Sequence, residues 1–248
     1  MPPDTSTQPS QATVQPSPQG VKNIVLVHGG LVDGSSWAKV IPLLIANGLH
    51  VTAVQNPLSS LADDVAATTR AIARQDGPVL LVGHSWGGMV ITEAGNNPAV
   101  AGLVYVSAFA PDPGQSLGDV AQQGPAPTGG QQMQMDAAGF LTITRKGMEE
   151  DLGHDLSAAE RELLLATQQP LAAAATTEKV SAAAWQTKAS WYLITTNDRI
   201  LNPDLQRAMA EKIRATTRTI SSSHMPIFSQ PDQVAAFIIE AAQKVGAQ

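Results

Sequence analysis

Val79-Leu80-Leu81-Val82-Gly83-His84-Ser85-Trp86-Gly87-Gly88 decides how this chain is read. The apolar run reads as a strand buried on both faces. It ends in Gly-x-Ser-x-Gly, and the residues beyond read as a helix beginning near Trp86. A strand-to-helix turn this sharp holds its central residue, Ser85, strained and exposed: a nucleophile elbow. Gly83 and Gly87 are small because neighbouring backbone must pass close to the turn. The helix directs its free N–H groups and the positive end of its dipole at whatever Ser85 attacks. The same pattern also occurs as a plain glycine turn. Its weight here comes from the strand before it, the helix after it and two stretches further along the chain.

Upstream, Asn23-Ile24-Val25-Leu26-Val27 is a second buried strand, stopped by His28-Gly29-Gly30. A helix with Trp37, Val40, Ile41, Leu44 and Ile45 on one face follows, and Pro42 inside it calls for a late start or a kink. Val51–Val54 reads as a strand. Ser60 and Asp63 form a capping-box-like pair before a helix whose apolar face is Leu61, Val65, Thr68, Ile72 and Ala73. Downstream of the elbow, Ala101–Ser107 is a fourth strand. Strands and helices thus alternate with short connections, the signature of a parallel sheet with helices on both faces.

From Pro111 the pattern breaks. Residues 111–188 read as an insertion, with helical pieces over Gly147–Gln169 and Leu171–Lys188. We expect a helical cap over the C-terminal strand ends, where such sheets hold their sites; the alternative is an insertion that never touches substrate. The sheet resumes with Ser190–Thr195 and ends with Arg218–Ile220. Ser229 and Asp232 flank Gln230-Pro231 at the start of a final helix with Val234, Phe237, Ile238 and Ala241 on its buried face. The expected fold is α/β: a mostly parallel sheet of about six strands, with core segments 21–110 and 189–248 and the helical cap between them. Residues 1–20, rich in Pro, Ser, Thr and Gln, lack the apolar surface to offset their ordering entropy and read as a disordered tail. The tail also fits the remainder of an exported precursor; otherwise a cytoplasmic location is expected.

Composition narrows the function. The 248 residues are 43% hydrophobic and 15% charged, with a net charge of -6 and a pI near 5.3. Without a basic run, nucleic acid and anionic membrane surfaces are disfavoured as partners. The absence of cysteine removes disulfides, thiol catalysis and thiolate metal sites. No His/Asp/Glu cluster has metal-ligand spacing, so neither metal nor cofactor is expected.

A serine hydroxyl needs a base, and the base needs an acid to hold its tautomer. In an elbow sheet they follow in chain order Ser, Asp or Glu, His, at the ends of later strands. Asp198 lies just past the strand ending at Thr195, and His224 just past the last strand. Of the other histidines, His28 and His84 flank glycine turns as structural or pocket-wall residues, His50 opens a strand, and His154 falls in the cap. Asp204, Asp112 and Asp119 compete for the acid role, but Asp204 sits in the first turn of a helix, Asp112 follows its strand only after Ala108-Phe109-Ala110-Pro111, and Asp119 lies further still, in the proline- and glycine-rich stretch. The oxyanion donors expected are the N–H groups of Trp86 and Gly30, with Leu31 next. Leu31, His28, His84 and Met225 are candidate pocket residues.

The residues now in hand resemble the α/β-hydrolases. Within that fold they are similar to the branch of plant-type methylesterases, hydroxynitrile lyases and small bacterial esterases. The resemblance is carried by Val25–Gly30, Gly34-Ser35-Ser36-Trp37, Gly83–Gly88, Asn197-Asp198 and His224–Pro231. It implies Ser85, Asp198 and His224 as a triad under a small cap. Hydroxynitrile lyases of this branch carry Thr in place of Gly29 and Lys in place of Met225, so the resemblance favours hydrolysis. Nothing before Lys22 reads as the two antiparallel strands that open the family's sheet. The expected activity is cleavage of small-molecule carboxylic esters. Lactone or C–C hydrolysis, perhydrolysis, or ligand binding by a receptor of this fold are the alternatives.

Overall fold

The computed structural model describes residues 20–245. The N-terminal tail expected over residues 1–20 and the strands missing from it fall, but for Gly20, outside the described residues.

The first half of the chain builds β1 (Asn23–Val27), α1 (Ile41–Ala46), β2 (His50–Ala53), α2 (Leu61–Ala73), β3 (Val79–His84), α3 (Gly87–Ala94) and β4 (Val100–Val106). Residues 107–188 contribute α4 (Leu117–Ala121), β5 (Met133–Met135), β6 (Phe140–Ile143), α5 (Arg145–Gly147), α6 (Ala158–Ala166) and β7 (Leu171–Ala172). The chain closes with β8 (Ala189–Thr195), α7 (Pro203–Lys212), β9 (Thr216–Ile220), α8 (Pro226–Ser229) and α9 (Pro231–Lys244).

Six strands form one sheet in the order β2-β1-β3-β4-β8-β9. Every adjacent pair is parallel. Burial follows position in that order. β1 and β3 at the centre are buried at every residue, whereas the edge strands β2 and β9 carry exposed ones. This is why the central strands read as unbroken apolar runs: each residue meets a helix on one face or the other. Helix α2 packs on α3, and α1 packs on α9. Each fully buried Val, Leu or Ile of this core is worth roughly 1.5–3 kcal/mol relative to exposure.

Four local readings are corrected. Ile45 does not join the buried face of α1; it is 55% exposed. Pro42 gives α1 the late start expected, at Ile41, so the buried Trp37 lies not on that helix but in a separate 3-10 turn capped by Asp33. Leu171–Lys188 is not a helix. Pro170 precedes a two-residue strand, Leu171 pairs with Leu141, and two 3-10 turns follow. The insertion therefore holds a three-stranded antiparallel sheet, β5-β6-β7, alongside its short helices. Finally, Ser229 does not cap α9. It closes the short α8, and its hydroxyl bonds Ser222 Oγ at 2.8 Å. Among the described residues, no helix is long and apolar enough to cross a membrane.

Candidate active site

Ser85 stands at the C-terminal end of β3 with φ +52°, a left-handed backbone that a non-glycine residue adopts only under constraint. The constraint is steric. A Cβ on Gly83 would come within 2.6 Å of the Gly87 carbonyl oxygen, and one on Gly87 within 2.5 Å of the Val27 carbonyl oxygen. The Ser85 carbonyl accepts from the N–H groups of Gly88 at 2.9 Å and Phe109 at 3.2 Å, so the turn is tied to both α3 and the loop after β4.

The loops after β8 and β9 bring the other two residues to the same place. His224 Nε2 accepts from Ser85 Oγ at 2.8 Å, and His224 Nδ1 donates to Asp198 Oδ2 at 2.7 Å. Both His224 and Asp198 are buried. The Asp198 carboxylate is saturated with donors. Oδ2 also accepts from Thr195 Oγ1 at 3.0 Å and Gln206 Nε2 at 2.9 Å, while Oδ1 accepts from the N–H groups of Ile200 and Leu201 at 2.9 and 2.8 Å. With the His224 Nδ1 hydrogen, five donors converge on this one carboxylate. The rival acids are engaged elsewhere: Asp112 pairs with Lys212, Asp204 with Arg207, and Asp119 forms a capping box with Ser116.

The remaining histidines separate by environment. His84 is fully buried beside the site, and its Nε2 donates to the His224 carbonyl oxygen at 2.7 Å. Burial, with the neighbouring His224, pushes its pKa down to about 3, so His84 is neutral. His28, expected in the pocket wall, does not line the cavity. Its Nδ1 donates to the Gly29 carbonyl at 2.8 Å and its Nε2 accepts from the Asn56 N–H at 3.0 Å, which uses both ring nitrogens beneath the glycine turn. His50 opens β2 in an exposed position, and His154 Nε2 donates to the Asn197 carbonyl at 2.9 Å.

The N–H groups of Gly30 and Trp86 donate to no protein acceptor among the described residues. The two residues face each other: a Cβ on Gly30 would lie 3.7 Å from that of Trp86. Both line a cavity of about 520 Å³ that also contains Ser85, His84, His224, Leu31 and Met225. Its opposite wall comes from the insertion, through Leu117, Met133, Leu141 and Leu171. No lysine, arginine or carboxylate lines it.

Sequence reasoning missed two groups. Gln206 is fully buried on α7 and braces Asp198 and Thr195. Asp64 is fully buried on α2 and holds the Trp86 indole. Asp64 did leave a signal: it falls on the stripe of Leu61, Thr68 and Ile72, where a carboxylate is out of place.

Comparison with known proteins gives a consistent picture. Residues 24–237 match the model of the alpha/beta hydrolase family. The chain is 26% identical over 250 residues to a pyrethroid hydrolase of Sphingobium wenxiniae, covering 90% of this chain and 88% of that one. It is also 26% identical over 252 residues to methylesterase 2 of Arabidopsis thaliana, covering 89% and 96%. The crystal structure of a pyrethroid hydrolase from Sphingobium faniae superposes with a TM-score of 0.78 at 22% identity, over 92% of this chain and 100% of that chain.

Proposed function

Because this chain belongs to the alpha/beta hydrolase family, we propose that it is a serine esterase acting on small-molecule carboxylic esters through Ser85, His224 and Asp198. The observation that carries this reading is the continuous hydrogen-bond relay from Ser85 Oγ through His224 to Asp198 at 2.8 and 2.7 Å. Relatives across most of the chain's length bear the names of a pyrethroid hydrolase and a methylesterase, which supports an ester substrate.

Ser85 attacks the ester carbonyl as His224 Nε2 takes its proton. Asp198 holds His224 with Nδ1 protonated and Nε2 free, and stabilises the imidazolium that forms. The carbonyl oxygen becomes an oxyanion, met by the N–H groups of Gly30 and Trp86. One such donor is worth about 3 kcal/mol of transition-state stabilisation. His224 then protonates the leaving alcohol, and an acyl group remains on Ser85. A water deprotonated by His224 attacks the acyl carbon, the oxyanion forms again, and the carboxylic acid leaves as Ser85 regains its proton. The insertion acts as the cap: its apolar side chains wall the cavity and exclude bulk water, which strengthens the oxyanion contacts. An uncharged apolar lining suits neutral ester groups.

The test is initial rates on p-nitrophenyl esters of increasing acyl length, for the wild type and Ser85→Ala together. We expect saturable turnover in the wild type and a loss of at least about 10³-fold in a folded Ser85→Ala. Equal slow rates in both proteins would overturn the assignment.

A further inference from the structure

The catalytic cycle uses Asp198 and leaves a second buried carboxylate without a role. Asp64 has no exposed surface. Among the described residues no basic side chain pairs with it. Its oxygens instead accept from two N–H donors, Trp86 Nε1 to Oδ2 at 2.7 Å and the Leu58 backbone to Oδ1 at 2.8 Å. Burial pushes its pKa up to about 6 despite those bonds. An unpaired carboxylate is an expensive way to fill a helix stripe.

What it touches gives the reason. Trp86 follows Ser85, and its backbone N–H is one of the two assigned oxyanion donors. Leu58 sits at φ +57° in the loop that leads into α2. The same loop reaches the other donor: the Asn56 N–H donates to His28 Nε2, and His28 Nδ1 donates to the carbonyl of Gly29, the residue before Gly30. The cap grips the loop from the far side, through the Ala172 N–H on the Leu58 carbonyl at 2.9 Å and Gln169 Nε2 on the Asn56 carbonyl at 2.7 Å. Both neighbours of the carboxylate are donors with a single hydrogen each. Only a group with two acceptors and no hydrogen between them satisfies both.

We propose that Asp64 is a positioning residue for the oxyanion site, fixing the Trp86 indole with one oxygen and the Leu58 turn with the other, so that the Trp86 and Gly30 N–H groups stay aimed at one point. The inference rests on the assignment of those two donors in the proposed function. An Asn at position 64 turns its NH₂ toward one of the two donors and cannot hold both. Trp86→Phe removes the indole N–H and leaves the ring volume largely in place.

The experiment measures Asp64→Asn, Trp86→Phe and the double variant in the full chain, with circular dichroism to establish folding. Two readouts are compared: ester kinetics, and affinity for a trifluoromethyl ketone, whose adduct with Ser85 places an oxyanion in the site. We expect kcat and ketone affinity to fall together by about 10- to 100-fold in each single variant. KM stays within about twofold, and the double variant is no worse than the worse single, because the one contact that Trp86→Phe removes is among those Asp64→Asn already disrupts. A purely structural Asp64 would lower the thermal midpoint and leave kcat and ketone affinity within twofold of wild type, and that result overturns the inference. If Asp64→Asn does not fold, Trp86→Phe carries the same two readouts, and wild-type values there overturn it equally. A wild type that neither turns over esters nor forms the ketone adduct would overturn the esterase reading, and the inference with it. An active wild type with unchanged variants would overturn the inference alone.

Discussion

His84 Nε2 donates to the carbonyl oxygen of His224 at 2.7 Å, so the residue before the proposed nucleophile grips the residue proposed as its base. The two rings stand 5.1 Å apart between centroids. The bond reaches across from the end of β3 to the loop after β9, fixing the loop's backbone while the His224 ring turns to Ser85. It requires a hydrogen on Nε2. Burial, with the neighbouring His224, keeps the ring neutral by holding its pKa near 3, and the His224 carbonyl selects the tautomer with the hydrogen on Nε2.

Acid stability follows from that group. A histidine whose folded pKa lies below its unfolded value of about 6.5 contributes stability that is present above pH 6.5 and lost as pH falls toward 3. His28, lowered by the same burial, acts in the same direction. His84→Gln keeps an amide donor for the His224 carbonyl but cannot titrate. Urea unfolding from pH 7 to pH 4 is expected to show a shallower loss of stability in His84→Gln, by at most about 1.4 kcal/mol per pH unit. Parallel curves for the two proteins would refute this.

Asp198→Asn is expected to lower kcat by about 10³- to 10⁴-fold. The asparagine amide presents hydrogens where Thr195, Gln206 and the Ile200 and Leu201 N–H groups already donate, and it favours the wrong tautomer of His224. Thermal unfolding should fall as well, because buried donors lose their acceptor. Turnover within tenfold of wild type would show that another acid holds His224.

Gln206 makes a separable prediction. Its Oε1 accepts from the Thr195 N–H at 3.0 Å, and its Nε2 donates to Asp198 Oδ2 and to the Leu201 carbonyl at 2.9 and 2.8 Å. Gln206→Ala leaves the Ser85–His224 and His224–Asp198 bonds in place and strips this brace. Stability is expected to drop by about 2–3 kcal/mol, with kcat lowered about tenfold and KM unchanged. Differential scanning calorimetry and steady-state kinetics check both halves, and a raised KM at constant kcat would contradict the second.

Which parts were legible from the sequence has a physical pattern. The proposed relay of Ser85, Asp198 and His224 is readable because each residue lies just past a strand: Ser85 and Asp198 past the apolar runs of β3 and β8, and His224 past the short, polar β9. Gln206 is not: on an amphipathic helix a glutamine reads as surface, and its inward turn is explained by partners distant in the pattern, the Thr195 N–H, Asp198 and the Leu201 carbonyl. The insertion was misread for a related reason. Met133–Met135 and Phe140–Ile143 are too short for a period to emerge. Leu171 and Ala172 sit in an alanine-rich run of high helix propensity, which pairing with β6 and with the Leu58 carbonyl overrides.

The elbow's dependence on glycine extends one residue past the motif. A Cβ on Gly88 would come within 2.1 Å of the Phe109 carbonyl oxygen and 2.9 Å of the Ala108 Cβ. Neither can yield cheaply. The Phe109 N–H donates to the Ser85 carbonyl, and Ala108 and Phe109 follow directly from β4. Gly88→Ala must therefore push α3 off the sheet and move the Ser85 turn with it. Gly48 is the opposite case, with φ +76° but nothing within 4 Å of an added Cβ. We expect Gly88→Ala to cost at least about 3 kcal/mol and abolish turnover. Gly48→Ala should cost about 1 kcal/mol with activity intact. Urea unfolding and ester rates on both variants measure the difference, and a stable, active Gly88→Ala would show that α3 packs more loosely on the β4 loop than these distances require.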